Sequence, residues 1–179
     1  DPGTPALMPA PRAVLIGPPG SGKTSVGKAL AKALGASRRD TDSDVERVAG
    51  KPIAEIFIDD GEAAFRELEA AAVAAAMSEH DGVLSLGGGA ILNERTQELL
   101  RDYVAHGGRV VYLEVSINAV APRVGLNNAR PLLVGNPRKQ WADLMEVRRP
   151  IYEALATDVV NTDHIRADRV ARELVEKGI

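Results

Sequence analysis

Gly17-Pro18-Pro19-Gly20-Ser21-Gly22-Lys23-Thr24 fits the pattern G-x-x-x-x-G-K-[ST], a phosphate-binding loop. Ala13-Val14-Leu15-Ile16 precedes it as the short apolar run of a buried strand, and Val26, Leu30, Ala33 and Leu34 follow at helical spacing. Strand, glycine loop and helix in that order are the setting the motif needs. Glycines let the backbone turn inward so that successive N–H groups point at phosphate oxygens, and a helix start adds its dipole. The backbone of Gly20, Ser21 and Gly22, with Lys23, Thr24 and Ser25, is then the phosphate site. Lys23 is expected to reach the β- and γ-phosphates, and the Thr24 hydroxyl to sit on Mg²⁺. A chance match in a glycine-rich turn would not bring the flanking strand and helix with it. The chain is expected to bind a nucleoside triphosphate.

The 179 residues suit one α/β domain with a full core. Net charge is −3, so bulk electrostatics favour neither nucleic acid nor an anionic membrane. With no cysteine there is no disulfide, thiolate metal site or cysteine catalysis, which is compatible with a reducing cytosol. No apolar run approaches the roughly 20 residues of a membrane span. Residues 1–11 read as a disordered tail, of which 1–7 are expected to be extraneous and Met8 the natural start. Residues 12–179 read as a single catalytic domain.

Three carboxylates crowd Asp40-Thr41-Asp42-Ser43-Asp44, too polar for a core strand. Alone they would suit a solvated acidic turn. Beside a phosphate loop they suit the mouth of a second strand, where a metal-bound triphosphate needs a carboxylate. Asp44 is a candidate cap for the next helix, and Asp59 with Glu62 a capping pair for the long one running to about His80. Arg66 and Glu69, three apart, are neighbours on that helix, by default a surface pair. Gly87-Gly88-Gly89 follows the strand Val83-Leu84-Ser85-Leu86 and either admits a ligand close to the backbone or is a flexible turn. The stretch of about 124–138, with Arg130, reads as a mobile lid. Pro150 is expected to bend or interrupt the helix after it. Trp141 reads as packing, and His80, His106 and His164 as surface residues without a role.

A small domain with a lid, without a guanine-reading N-K-x-D or a basic arm, suggests a small-molecule kinase. Arg66 and Arg148 are candidates to hold an acceptor carboxylate in bidentate geometry. The residues alone do not choose between Asp40 and Asp42, which share a face of an extended segment.

From about Arg12 to the last helix the chain resembles the shikimate kinases, a P-loop family akin to the nucleoside monophosphate kinases. The resemblance rests on Gly17 to Thr24, Asp40-Thr41-Asp42, Gly61-Glu62 with Phe65-Arg66 and Glu69, Gly87-Gly88-Gly89, Arg130-Pro131-Leu132-Leu133, and Arg148-x-Pro150-x-Tyr152. It implies a three-layer α/β/α P-loop kinase fold, with a five-stranded parallel sheet of order 2-3-1-4-5 and a shikimate-binding region at about 42–70. It also implies a cytoplasmic monomer that uses ATP and Mg²⁺ to phosphorylate the 3-hydroxyl of shikimate, on the route to chorismate and the aromatic amino acids. Carried over by position, Lys23 contacts the phosphates, Thr24 ligates Mg²⁺ and Asp40 holds it through water. Asp42 is the base or orienting group, and Arg66 and Arg148 clamp the carboxylate with Glu69 fixing them. Gly88 and Gly89 meet the substrate, and Phe57 and Phe65 line its apolar side. Arg130 neutralises charge on the transferred group, and Arg123 stacks on adenine. Asp163-His164-Ile165-Arg166-Ala167 departs from the family in lacking a proline at the adenine site. Arg149 leaves a one-residue ambiguity beside Arg148. A gluconate or adenylate kinase-like enzyme of the same fold, or a non-catalytic nucleotide-binding module, are the alternatives.

Overall fold

The computed structural model describes residues 10–124 and 136–179. The strand of the opening motif, β1 (Ala13–Ile16), is buried along its whole length. Its side chains alternate between two cores: Val14 and Ile16 face one, Ala13 and Leu15 the other. In β4 (Val110–Glu114), Val110 and Tyr112 likewise face the first, Val111 and Leu113 the second. Strands covered on both faces must be apolar throughout, which is the parallel-sheet pattern. β1 pairs in parallel with β3 (Val83–Ser85) and with β4. β2 (Arg38–Asp40) adds outside β3, and β5 (Asp158–Asn161) outside β4. The order is β2-β3-β1-β4-β5, as the family resemblance implied.

One face carries α1 (Lys23–Leu34) and α8 (Ala167–Glu176), packed through Val26, Leu30, Val170 and Leu174. The other carries α4 (Gly61–Glu79), α5 (Glu94–Ala105), α6 (Ile117–Arg123) and α7 (Pro137–Leu155). A third, small core of Val45, Ile56, Phe65 and Ala72 joins α2 (Thr41–Ala49) and α3 (Ile53–Asp59) to α4. No helix among the described residues is long and apolar enough to cross a membrane.

Several local expectations are corrected. The buried stripe of α1 is Val26, Gly27, Leu30 and Ala31, leaving Ala33 exposed. Asp40, not Asp44, caps α2, because only Asp40 has the extended backbone of a cap and accepts from the N–H groups of Asp42 and Ser43. Asp59 and Glu62 do not cap α4; Asp59 and Asp60 turn to Lys51 at 3.1 and 2.8 Å. α7 runs unbroken through Pro150, since the one lost backbone bond is outweighed by burial of Trp141, Met145, Tyr152 and Leu155. Asn136 caps α7, so 137–138, counted with the lid, are helical. The rest of that segment, 125–135 with Arg130, lies outside the described residues. His80 is buried, its Nε2 3.1 Å from the Val83 carbonyl. Pro11, counted with the tail, is buried and accepts a 2.6 Å hydrogen bond from the Tyr103 hydroxyl.

Candidate active site

The C-terminal ends of β1, β2 and β3 bring three segments to one cleft: the phosphate loop, the Asp40–Asp42 corner and the Gly87–Gly89 turn. Gly20 has φ +81, and a Cβ there would lie 2.6 and 2.7 Å from methyls of Val124 and Val120, so α6 can close on the loop only if this residue is glycine. Thr24 and Ser25 lie exposed in the first turn of α1. Ser21 is completely buried and donates its N–H to the Pro18 carbonyl, shaping the loop from within. Arg123 donates to the carbonyls of Gly20 (3.1 Å) and Thr162 (2.8 Å). Together with Thr162, Ile165 and Ala167 it lines a hollow of about 270 Å³ beside the loop. Arg166, in the stretch that lacks the family's proline, is exposed and pairs with Asp168.

Lys23 curls onto its own loop, with Nζ 2.6 Å from the Gly17 carbonyl and 3.0 Å from that of Pro18. Burial pulls its ammonium down to about 8, opposed by the charges of Asp42 and Asp40 and reinforced by Arg148. A bound triphosphate favours the protonated form and raises that value again. Between about pH 8 and the bound-state value the complex holds one more proton than the free protein, so affinity falls as pH rises. Nucleotide binding is therefore expected to weaken by up to about tenfold per pH unit above 8. Titration calorimetry at pH 8.5 in two buffers of different ionisation enthalpy checks this; no proton uptake there would contradict it.

On the acceptor side the glycine turn is enclosed by functional side chains. The Gly87 N–H donates to Thr41 Oγ1 at 3.1 Å. A Cβ on Gly87 would fall 2.6 Å from Asp42 Oδ1 and 2.9 Å from Glu69 Oε2. The Gly88 carbonyl accepts from the Tyr152 hydroxyl at 2.6 Å. A Cβ on Gly89 would meet Arg66 Nη1 at 2.5 Å and Arg148 Nη2 at 3.0 Å, so both guanidinium groups converge there. Arg148 is the arginine at the turn, while Arg149 is exposed. Arg66 donates to Glu69 at 2.7 Å; Glu69 is only 3% exposed, so this is a pair inside the cleft rather than on the surface. Burial, and then the neighbouring Asp40, push the Asp42 carboxyl up, against the pull of Lys23. Glu69 is also pushed up by burial, against the Arg66 bond. Phe65 is buried and Phe57 half-exposed, their rings 4.8 Å apart.

Thr24 and Asp40 offer one hydroxyl and one partly exposed carboxylate at the phosphate side of the cleft. No three acidic or histidine side chains gather as a metal cage among the described residues. This sparse set of hard oxygen donors fits Mg²⁺, which keeps several waters and binds mainly through phosphates. A groove of about 870 Å³ between α4 and α5 lies elsewhere and shares Arg66 with the cleft. It is walled by Ala70, Ala71, Ala74 and Leu99, and the buried, shifted acids and lysine are at the strand ends instead.

The family model for shikimate kinase matches residues 19–178. A curated shikimate kinase of Streptomyces coelicolor is 53% identical over 169 residues, covering 94% of this chain and 96% of its own. The chain belongs to the shikimate kinase family. It is thus an ATP-dependent kinase. The shikimate kinase of Thermobifida fusca is also 53% identical, over 172 residues, covering 94% of this chain and 97% of its own. The shikimate kinase of Acinetobacter baumannii, solved in complex with shikimate, superimposes with a TM-score of 0.84 at 35% identity, over 94% of this chain and 92% of that one. A gluconokinase of Sinorhizobium meliloti, 20% identical with a TM-score of 0.52, shares the fold.

Three residues that organise this cleft were not picked out by sequence for what they do. Thr41 pins Gly87, Tyr152 pins Gly88, and Arg38 donates to Asp40 at 3.2 Å. Tyr152 carried a signal, lying four residues after Arg148 and so on the same helical face.

Proposed function

We propose that the chain transfers the γ-phosphoryl group of ATP to the 3-hydroxyl of shikimate, with residues 12–179 as one catalytic domain acting as a monomer. The observation that carries the reading is the convergence of Arg66 and Arg148 on Gly89, with Asp42 and Lys23 beside them at the mouth of the phosphate loop. Two guanidinium groups at one backbone turn suit a carboxylate, and the acidic group next to them suits a hydroxyl. Shikimate carries both, and the Acinetobacter relative holds it.

In this reading Arg66 and Arg148 grip the carboxylate, Glu69 orients Arg66, and Phe57 with Phe65 packs the apolar side. Gly88 and Gly89 let the ring approach the backbone. The acceptor hydroxyl donates to Asp42, whose raised affinity for protons favours it as base. As the oxygen bonds to the γ-phosphorus, the proton passes to the carboxylate, the β–γ bridging bond breaks and ADP departs. Lys23 leaves its loop carbonyls for the phosphates, and the loop amides of Gly20 and Gly22 with Thr24 and Ser25 hold them. Arg123 flanks the adenine, and Arg130 neutralises charge on the transferred group. Thr24, and Asp40 through water, would hold Mg²⁺, which would supply charge neutralisation on the transferring phosphates.

The test is ADP release from Mg·ATP with and without shikimate, with gluconate and nucleoside monophosphates as controls. Release that depends on shikimate alone is expected; equal release with gluconate would overturn the acceptor. Arg66→Ala is expected to raise the shikimate Kd about thirtyfold, the worth of one charged hydrogen bond of about 2 kcal/mol, with ATP binding unchanged. Loss of ATP affinity instead would mean that the acceptor site is misplaced.

A further inference from the structure

β2 opens with a charged residue where a packed apolar one would serve the sheet. Arg38 and Asp40 project to the same side of the strand, and Nη2 donates to Oδ2 at 3.2 Å. The stem of Arg38 lies against α1 where Gly27 leaves room: a Cβ on Gly27 would sit 3.4 Å from both Cδ and Nε of Arg38, and 3.2 Å from Ser85 Oγ. Among the described residues Nε is buried without an acceptor, and Ser85 Oγ is buried without a partner. A desolvated, unpaired donor counts against stability. Arg38 is therefore poorly explained as packing. Its one polar contact among the described residues is Asp40.

We propose that Arg38 sets the cation affinity of Asp40, balancing its carboxylate so that a divalent ion settles there only when nucleotide phosphates add their own charge. The inference rests on the assignment of Asp40 to the metal side. Two effects of Arg38 oppose each other. It orients Asp40, which favours a metal, and it places a positive charge beside the ion, which disfavours one. Orientation is already secured on the other oxygen, since Oδ1 accepts from the N–H groups of Asp42 at 2.8 Å and Ser43 at 3.4 Å. The charge effect therefore wins. In a partly solvated site, removing a unit charge one or two water diameters from a divalent ion raises its affinity by about tenfold. Arg38 is thus a positioning residue that acts through Asp40. It keeps the cleft from filling with free cation and leaves the metal to arrive with the nucleotide.

The experiment is Mn²⁺ binding to the nucleotide-free protein, read by electron paramagnetic resonance, with melting temperatures recorded alongside. Arg38→Met is expected to bind Mn²⁺ about tenfold more tightly than wild type. Arg38→Lys is expected to stay near wild type, and Asp40→Asn to remove the gain when combined with Arg38→Met. A packing role would shift the melting temperature and leave Mn²⁺ affinity alone. Unchanged or weaker Mn²⁺ binding by Arg38→Met overturns the proposal, as does a gain that survives Asp40→Asn. Should the methionine variant not fold, Arg38→Gln, neutral and polar, takes its place in the same titration. The metal assignment is checked separately, by the Mg²⁺ dependence of ADP affinity in wild type and Asp40→Asn. If the two behave alike, the assignment fails whatever Arg38 does.

Discussion

Asp42→Asn is expected to lower kcat by about 10²–10⁴-fold, the range of a lost general base, with shikimate affinity little changed. The amide is nearly isosteric, and Asp42 sits in the first turn of α2 with its backbone N–H held by Asp40. Geometry should therefore survive while the proton acceptor is lost. The carboxyl suits this duty because burial and Asp40 hold its proton affinity above the usual range while Lys23 keeps it from rising further. A base closer to the operating pH captures a proton more effectively as the new bond forms. Single-turnover measurements with saturating Mg·ATP and shikimate separate this from binding. A variant that turns over within tenfold of wild type would reduce Asp42 to an orienting group and leave the proton to solvent.

Gly89→Ala is expected to raise the KM for shikimate by about 10²–10⁴-fold, from two charged hydrogen bonds of about 1.5–3 kcal/mol each, while ATP affinity holds. Gly89 has φ −97, so alanine fits the backbone. The added methyl would instead meet Arg66 Nη1 at 2.5 Å, Arg66 Nη2 at 2.8 Å and Arg148 Nη2 at 3.0 Å. These are tips of flexible side chains, which swing aside at small cost to folding. Swinging aside breaks the shared grip. The substitution thus separates function from stability: shikimate saturation moves strongly and the melting temperature hardly at all. A large drop in melting temperature with an unchanged KM would show that the arginines serve the fold and not the acceptor.

The phosphate loop with its strand and helix was legible because the motif and both periodicities lie within two dozen residues. The strand order was not; it came with the family resemblance, since nothing local to β2 says which strand it pairs with. Asp40 and Asp42 show the limit more sharply. Read as one extended segment they share a face, yet the strand ends between them: Asp40 closes β2 and caps α2, and Asp42 belongs to the helix. Arg66 and Glu69 at helical spacing announced their own pairing but not their burial, which depends on the glycine turn some twenty residues later. Arg38 has no local signal of its role, because the surface that it packs on is the missing side chain of Gly27, on another element. The tie from Tyr152 to Gly88 spans 64 residues: its spacing from Arg148 placed Tyr152 on the right helical face but could not name its partner.

The cleft is framed by cores of very different size. The phosphate side stands on β1 and the two large clusters that sandwich the sheet. Much of the acceptor side stands on α2, α3 and the start of α4, whose own core is Val45, Ile56, Phe65 and Ala72. A unit with so little buried apolar surface opens at far lower free energy than the sheet. A ligand that bound only a closed form of this wall would stabilise it by RT ln(1 + [L]/Kd). An acceptor gripped between Arg66 on this wall and Arg148 on α7 would then act as a structural component of its own site, adding to the small core the contacts that it lacks.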